Sequence, residues 1–163
     1  MRKILTGMAV AALMAQPLHT QPVSAEASSP MPEELSYRLE DQRAKCSAAG
    51  GTLKGEDKAL TPAELSAATG ELLWVYEEGM LNCSAGPTDS YCGSGGCYVS
   101  FCFGTDELAA LIHSWRVYIE KGVPILETVS KGDDCGGAKS DTCVTWYIWA
   151  NGELTLSGSE PKP

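Results

Sequence analysis

The sequence predicts an α+β domain. A mostly antiparallel sheet of about five or six strands is stapled by disulfides to an N-terminal helix and one or two short helices. Three observations predict this. PEELSYRLEDQRAKCSAAGG carries apolar residues at helical spacing. CYVSFCF alternates with the period of a strand. CVTWYIWANGELTL sets Asn151-Gly152 between two strand-like runs, a strong hairpin signal.

The first helix opens at Pro32, whose missing N–H costs nothing at that position. Glu33 and Glu34 suit the positive end of the helix dipole. Leu35, Leu39, Gln42, Cys46 and Ala49 share one face, and Gly50-Gly51 ends the helix. Cys46 is therefore expected to point inward. LTPAELSAATG reads as a second, shorter helix: Thr61 caps it, Pro62 opens it, Glu64 reaches back to the cap, and Gly70 stops it. Leu72 to Glu78 is the first strand, with Cys83 closing the turn behind it.

In CYVSFCF the alternation sends Cys97, Val99, Phe101 and Phe103 one way and Tyr98, Ser100 and Cys102 the other. Cys97 and Cys102 are thus poorly placed to pair with each other. TDELAALIHSW reads as a short helix capped by Thr105, with Leu108, Leu111, Ile112 and Trp115 at helical spacing. WRVYIEKGVPILETVS gives a strand, a turn at Gly122 and another strand. KGDDCGGAKSDTC is a polar loop, and the hairpin at Asn151-Gly152 follows.

The first 25 residues read as a signal peptide. Arg2 and Lys3 precede a short apolar run that Gln16, Pro17 and His19 interrupt, and Val23-Ser24-Ala25 offers the small-x-small pattern for cleavage after Ala25. The organisation expected is a signal peptide over 1–25, a single α+β domain over 26–157 and a disordered tail over 158–163. No later run is apolar enough to span a bilayer, so no membrane association is expected once the leader is removed, and a periplasmic location is. The whole chain carries a formal charge of −9. The leader holds two basic and no acidic residues, so residues 26–163 carry −11. Such a charge disfavours nucleic acid and anionic membrane surfaces and favours a basic protein partner. Acidity also serves solubility.

At CSAAGG (Cys46 to Gly51), Cys83, YCGSGGC (Tyr91 to Cys97), the pair Cys135 and Cys143, and TWYIWANG, the chain resembles a family of small exported cysteine-rich alphaproteobacterial proteins with a Cys-Gly-Ser/Thr-Gly-Gly-Cys motif. The resemblance implies compartment and cysteine framework and no activity. Such proteins carry an Asp-x-Asn-Gly-Asp-Gly-like stretch before the first strand. Here TPAELSAATGELL stands in its place, without those carboxylates, and no calcium role transfers.

All 7 cysteines follow the leader, and in an exported chain they are read first as disulfides. Their order suggests Cys92–Cys97, Cys135–Cys143 and Cys46–Cys83, with Cys102 left as a free thiol; other pairings remain open. Loops of about 6, about 9 and about 38 residues correspond to upper figures of roughly 2, 2.6 and 4 kcal/mol.

CGSGGC reads as a glycine-permitted clamp. A redox dithiol normally spaces its sulfurs by two residues and has a cation nearby, and neither holds here. A thiolate metal site would compete with oxidation, and an anion nest of glycine amides would sit on a strongly acidic chain. Cys102 with His113, the single histidine after the leader, lacks an evident third member for nucleophilic chemistry. The acidic Gly132 to Asp134 stretch lacks the ligand periodicity of a calcium loop. No catalytic residue, metal site or cofactor is assigned. Trp146, Tyr147 and Trp149 form the candidate binding face, although Trp146 and Trp149 have opposite parity on one strand. The function expected is a non-enzymatic periplasmic protein-binding or inhibitor-like module. The alternatives are a thiol-disulfide protein using the CGSGGC cysteines and a structural envelope protein.

Overall fold

A computed structural model of the 163-residue chain describes residues 30–66, 70–86, 92–138 and 141–163. The expected signal peptide, its cleavage point after Ala25, and Tyr91 of the YCGSGGC motif lie outside the described residues. In chain order the elements are α1 (Glu33–Ala48), β1 (Leu53–Lys54), α2 (Glu56–Ala59), β2 (Leu60–Ser66), β3 (Glu71–Glu77), β4 (Asn82–Cys83) and β5 (Cys92–Gly93). Then come β6 (Gly96–Phe103), β7 (Asp106–Ile112), β8 (Ser114–Glu120), β9 (Val123–Lys131), β10 (Thr142–Ala150) and β11 (Glu153–Lys162).

Among the described residues the protein is mostly antiparallel sheet with one main helix and three disulfides. It is richer in sheet than the α+β expectation. One sheet runs β2-β3-β6, with β5 and β7 both paired to β6. A second runs β8-β9-β10-β11, and β1 pairs with β4 in a small third. His113 alone separates β7 from β8, and its backbone N–H donates to the Val129 carbonyl at 2.7 Å. The chain thus passes from the first large sheet to the second at a corner.

The two large sheets face each other across one core. Leu73, Val75, Val99 and Phe101 contribute from the first sheet, and Leu126 from the second, with Trp115 and Tyr147 packed against them. The outer face of the first sheet is covered by α1. Leu35 is fully buried against Tyr76 and Cys102. This sheet therefore has two covered faces, which is why β6 is buried at Ser100, Phe101, Cys102 and Phe103 in succession. A fully buried Leu contributes about 2 kcal/mol, so Leu35 and Leu39 alone give α1 a reason to stay. Glu33 and Glu34 sit in its first turn and Lys45 in its last, complementing the dipole. Gly50, at φ +81°, ends it, and the Gly51 N–H returns to the Cys46 carbonyl at 2.9 Å. Ala49, expected on the buried face, is exposed just past the helix end.

Two expected helices are strands. LTPAELS is β2, paired to β3 with Pro62 opposite Trp74. As a sheet edge, β2 tolerates a proline that has no N–H for a ladder. DELAALI is β7, paired along its whole length to β6 from Cys97 to Phe103. Thr105 does not cap a helix. With Gly104, at φ +60°, it makes the two-residue turn between Phe103 and Asp106. Among the described residues the strand count rises accordingly, to eight strands of seven or more residues. The short helix α2 lies instead at Glu56–Ala59. The tail expected to be disordered over 158–163 belongs to β11 as far as Lys162, held by β10 from Thr142 to Ala150.

Both expected hairpin turns are present, with the backbone they require. Asn151 and Gly152 lie at φ +56° and +81°, and Lys121 and Gly122 at +51° and +81°. Positive φ at both central residues matches the twist of the flanking strands.

Candidate functional site

At one end of the molecule a cleft of about 550 Å³ opens beside the rim of the first sheet. Its aromatic walls are Trp74 of β3, Phe103 at the end of β6 and Trp149 of β10. Met31, just before α1, and the carboxylates Glu33 and Glu71 complete the part that matters chemically. The Trp149 ring meets Phe103 edge to face, with centroids 5.3 Å apart. Its indole N–H donates to Glu71 Oε2 at 3.3 Å. Trp149 therefore joins the second sheet to the first while one side of its surroundings stays open. Aromatic surface beside carboxylates is an environment that favours a cation with an apolar stem.

The candidate face Trp146, Tyr147 and Trp149 is divided by the strand. Tyr147 and Trp149 pack toward the core. Burial pushes the Tyr147 phenol above its ordinary range, so it keeps its proton. Trp146 lies on the outer face of the second sheet, directly opposite Glu127 in the ladder. Its indole N–H donates to Glu127 Oε2 at 3.0 Å, and the Lys162 ammonium sits 5.5 Å from its ring centroid. Arg116 makes a forked pair with the same carboxylate, at 2.9 and 2.8 Å. Hydrogen bonds from Arg116 and, secondarily, Trp146 hold the Glu127 carboxyl below its usual range. This face is a polar network whose own charges are matched.

The cysteines divide by setting. Cys46–Cys83 joins α1 to β4 and is buried. Cys135–Cys143 joins the turn after β9 to β10. Cys92–Cys97 closes the short β5–β6 hairpin, with Cys92 exposed. The glycines of CGSGGC have distinct reasons. Gly96, at φ +110°, lies against the Ile112 carbonyl, where no side chain fits. A Cβ on Gly95 would stand 2.7 Å from a Leu111 methyl.

Cys102 is a free, buried thiol. Burial first, and then the nearby Glu107 charge, push it up to about 11. His113 lies exposed at the β7–β8 corner, beside Ile112, which pairs with Cys97. Cys102 lies five residues further along β6, roughly 17 Å away at the rise of a strand. The two form no nucleophile–base pair. Asp133 and Asp134 lie in a one-turn helical segment, Gly132–Cys135. The loop after it closes on itself: the Ala138 N–H donates to Asp141 Oδ2 at 3.0 Å, and the Gly137 N–H to the Gly132 carbonyl at 2.8 Å. Among the described residues, no group of three His, Cys, Asp or Glu side chains is placed to hold a metal. No described helix is long and apolar enough to cross a membrane.

Glu33, Glu71, Trp74 and Phe103 were not singled out by the sequence as site residues. They come from three separated segments, α1, β3 and β6, and no local pattern marks them as neighbours of Trp149. Neither protein-family models, nor curated proteins, nor solved structures yield a match to this chain.

Proposed function

We propose that this chain is an exported, periplasmic binding module, freed from its leader after Ala25. It takes a lysine- or arginine-rich segment of a partner protein in the cleft between Trp74, Phe103 and Trp149. The observation that carries this reading is the pairing of Trp149 with Glu71 at the cleft wall, 3.3 Å from indole nitrogen to carboxylate oxygen. Together with Glu33 it combines aromatic surface and negative charge in a concave site of ligand-binding size. The charge of −11 over residues 26–163 steers basic partners toward the molecule. The three disulfides fit an oxidising compartment and a rigid frame. The likeness to small exported cysteine-rich proteins points to the same compartment.

The test is a calorimetric titration with tetralysine and tetraglutamate peptides, followed in parallel by tryptophan fluorescence. Tetralysine binds, binding weakens with added salt, and Glu71→Gln and Trp149→Phe each weaken it. Equal behaviour of the two peptides, or indifference to both substitutions, overturns the reading. Exposure of Cys92 favours a second reading, a thiol-disulfide protein using Cys92 and Cys97. Turnover of a disulfide substrate that disappears in Cys92→Ser would select it.

A further inference from the structure

A second cavity, of about 420 Å³, lies between the two large sheets, toward the other end of β10. Along β10 the inward positions change character. Trp149 and Tyr147 belong to the apolar core, whereas Thr145 and Cys143 line this cavity. The same change occurs along β9, from Leu126 to Thr128 and Ser130. The ladders set these residues opposite one another. Thr128 pairs with Thr145, Thr145 with Ser159, and Ser130 with Cys143. Directly opposed residues hold their Cβ atoms about 5 Å apart. Thr128, Thr145 and Ser159 therefore make a row of hydroxyls running across three strands on the inner face of the sheet. Tyr147 flanks the row with a phenol that burial keeps protonated.

In the free protein Thr145 Oγ1 lies 3.6 Å from Cys143 Sγ and Ser159 is open to water. A ligand that covers these hydroxyls must itself be their partner, because polar groups taken from water without one are costly. The chemistry of the lining narrows what that partner is. No Lys, Arg or His side chain lines the cavity, and Asp134 does, so an anion is disfavoured. One carboxylate among five hydroxyl-bearing residues does not make a cation site. A purely apolar ligand would strand the hydroxyl row. Leu111 and Leu156, 47% and 60% exposed, border the same cavity. Apolar rims beside a row of donor–acceptor hydroxyls suit a molecule with apolar C–H faces and a fringe of neutral hydroxyls. The wall is also firmly held. Cys135–Cys143 ties the preceding turn to β10, and Gly132 is packed so closely on the Ala138 carbonyl and Asp141 that no side chain fits.

We infer that this cavity is a binding site for a neutral saccharide, separate from the aromatic and acidic cleft and independent of its function. The experiment is a titration of the isotopically labelled, disulfide-intact protein with maltose, cellobiose and N,N′-diacetylchitobiose, read by amide and methyl chemical shifts. At least one of them shifts the resonances of Thr128, Thr145 and Ser159, and Thr145→Val and Thr128→Val each weaken that binding at least tenfold. Tetralysine binding stays unchanged in both variants. The inference is overturned if none of the three sugars moves those resonances up to about 50 mM. It is equally overturned if the shifts fall on Trp74, Phe103 and Trp149 instead, or if the valine variants bind as the wild type does. The wild-type shift map decides the matter on its own should a variant fail to fold.

Discussion

Arg38 on α1 grips Glu107 on β7 with two parallel hydrogen bonds, Nη1 to Oε1 and Nη2 to Oε2, each 2.8 Å. Nη1 also donates to the buried Ser100 hydroxyl at 3.1 Å. This fork is a polar tie between the helix and the outer face of the first sheet, next to the hydrophobic contacts of Leu35. The Arg38 hydrogen bond holds the Glu107 carboxyl below its usual range, against an opposing effect of burial. A carboxyl with a depressed folded-state pKa contributes stability at pH above its unfolded value. That contribution is lost as pH falls through the folded value. We predict that the protein weakens on acidification below about pH 4.5 and that Glu107→Gln removes part of that dependence. At pH 7 the substitution costs about 1–2 kcal/mol, since both partners retain some exposure and water screens the pair. Urea unfolding of both proteins at pH 7 and pH 4 checks this. An unchanged pH slope in the variant would contradict it.

Cys102 sits beneath the same helix, opposite Glu107 in the β6–β7 ladder. With its thiol pushed up to about 11, only about one molecule in a thousand is thiolate at pH 8. We predict that iodoacetamide fails to modify the native protein on the timescale that modifies it fully in denaturant. Without reductant, exactly one alkyl group is then added per chain, at Cys102. Mass spectrometry of the intact protein reads both numbers. Rapid native labelling, or no labelling after denaturation, would show that the thiol is exposed or engaged elsewhere.

What the sequence made legible was whatever its local pattern determines alone. The helix through Leu35, Leu39 and Cys46 and the turns at Gly122 and Asn151-Gly152 belong to that group. The two misread helices show the opposite case. In β7, Leu108, Ala110 and Ile112 face inward, but Ala109 and Leu111 are apolar too and hide the period of two. Ala and Leu favour helix in isolation. The tight turn at Gly104 and the waiting edge of β6 decide otherwise, and neither is visible in a window of seven residues. In β2, Thr61-Pro62 with Glu64 imitates a helix start, while Ala63 and Leu65 alternate correctly for a strand against β3. The cleft was legible only at Trp149. Its other walls depend on how β3, β6 and the approach to α1 converge.

Two glycines are required for close approach to sulfur, without any positive φ. A Cβ on Gly51 would stand 2.6 Å from Cys83 Sγ and 2.8 Å from the Ala85 nitrogen. One on Gly79 would collide with Cys92 Sγ and lie 3.1 Å from Cys97 Sγ. Gly93, in the same hairpin as Cys92, has nothing within 4 Å of such a Cβ. We predict that Gly51→Ala and Gly79→Ala each cost about 1–3 kcal/mol through overpacking. Gly93→Ala stays within about 0.5 kcal/mol of the parent. Thermal denaturation of the three variants gives the ranking. A Gly79→Ala protein as stable as Gly93→Ala would mean that the hairpin shifts freely away from Gly79.

The Cys46–Cys83 bridge closes the longest loop, with a sequence separation of 37 against 8 and 5 for the other two. On chain entropy its removal costs at most about 4 kcal/mol, against about 2 kcal/mol for Cys92–Cys97. Its place in the fold adds a second consequence. It is the covalent hold on α1, and α1 covers Cys102. A variant with Cys46→Ala and Cys83→Ala should therefore lose more stability than one with Cys92→Ala and Cys97→Ala. It should also label faster at Cys102 under native conditions, because α1 opens more often than the sheets separate. Denaturant unfolding gives the first comparison and timed alkylation the second. Accelerated labelling with little loss of global stability would assign the bridge to local retention of the helix. Loss of stability with unchanged native labelling would show instead that α1 and the sheets unfold as one unit, with Arg38 and Leu35 sufficient to hold the helix down.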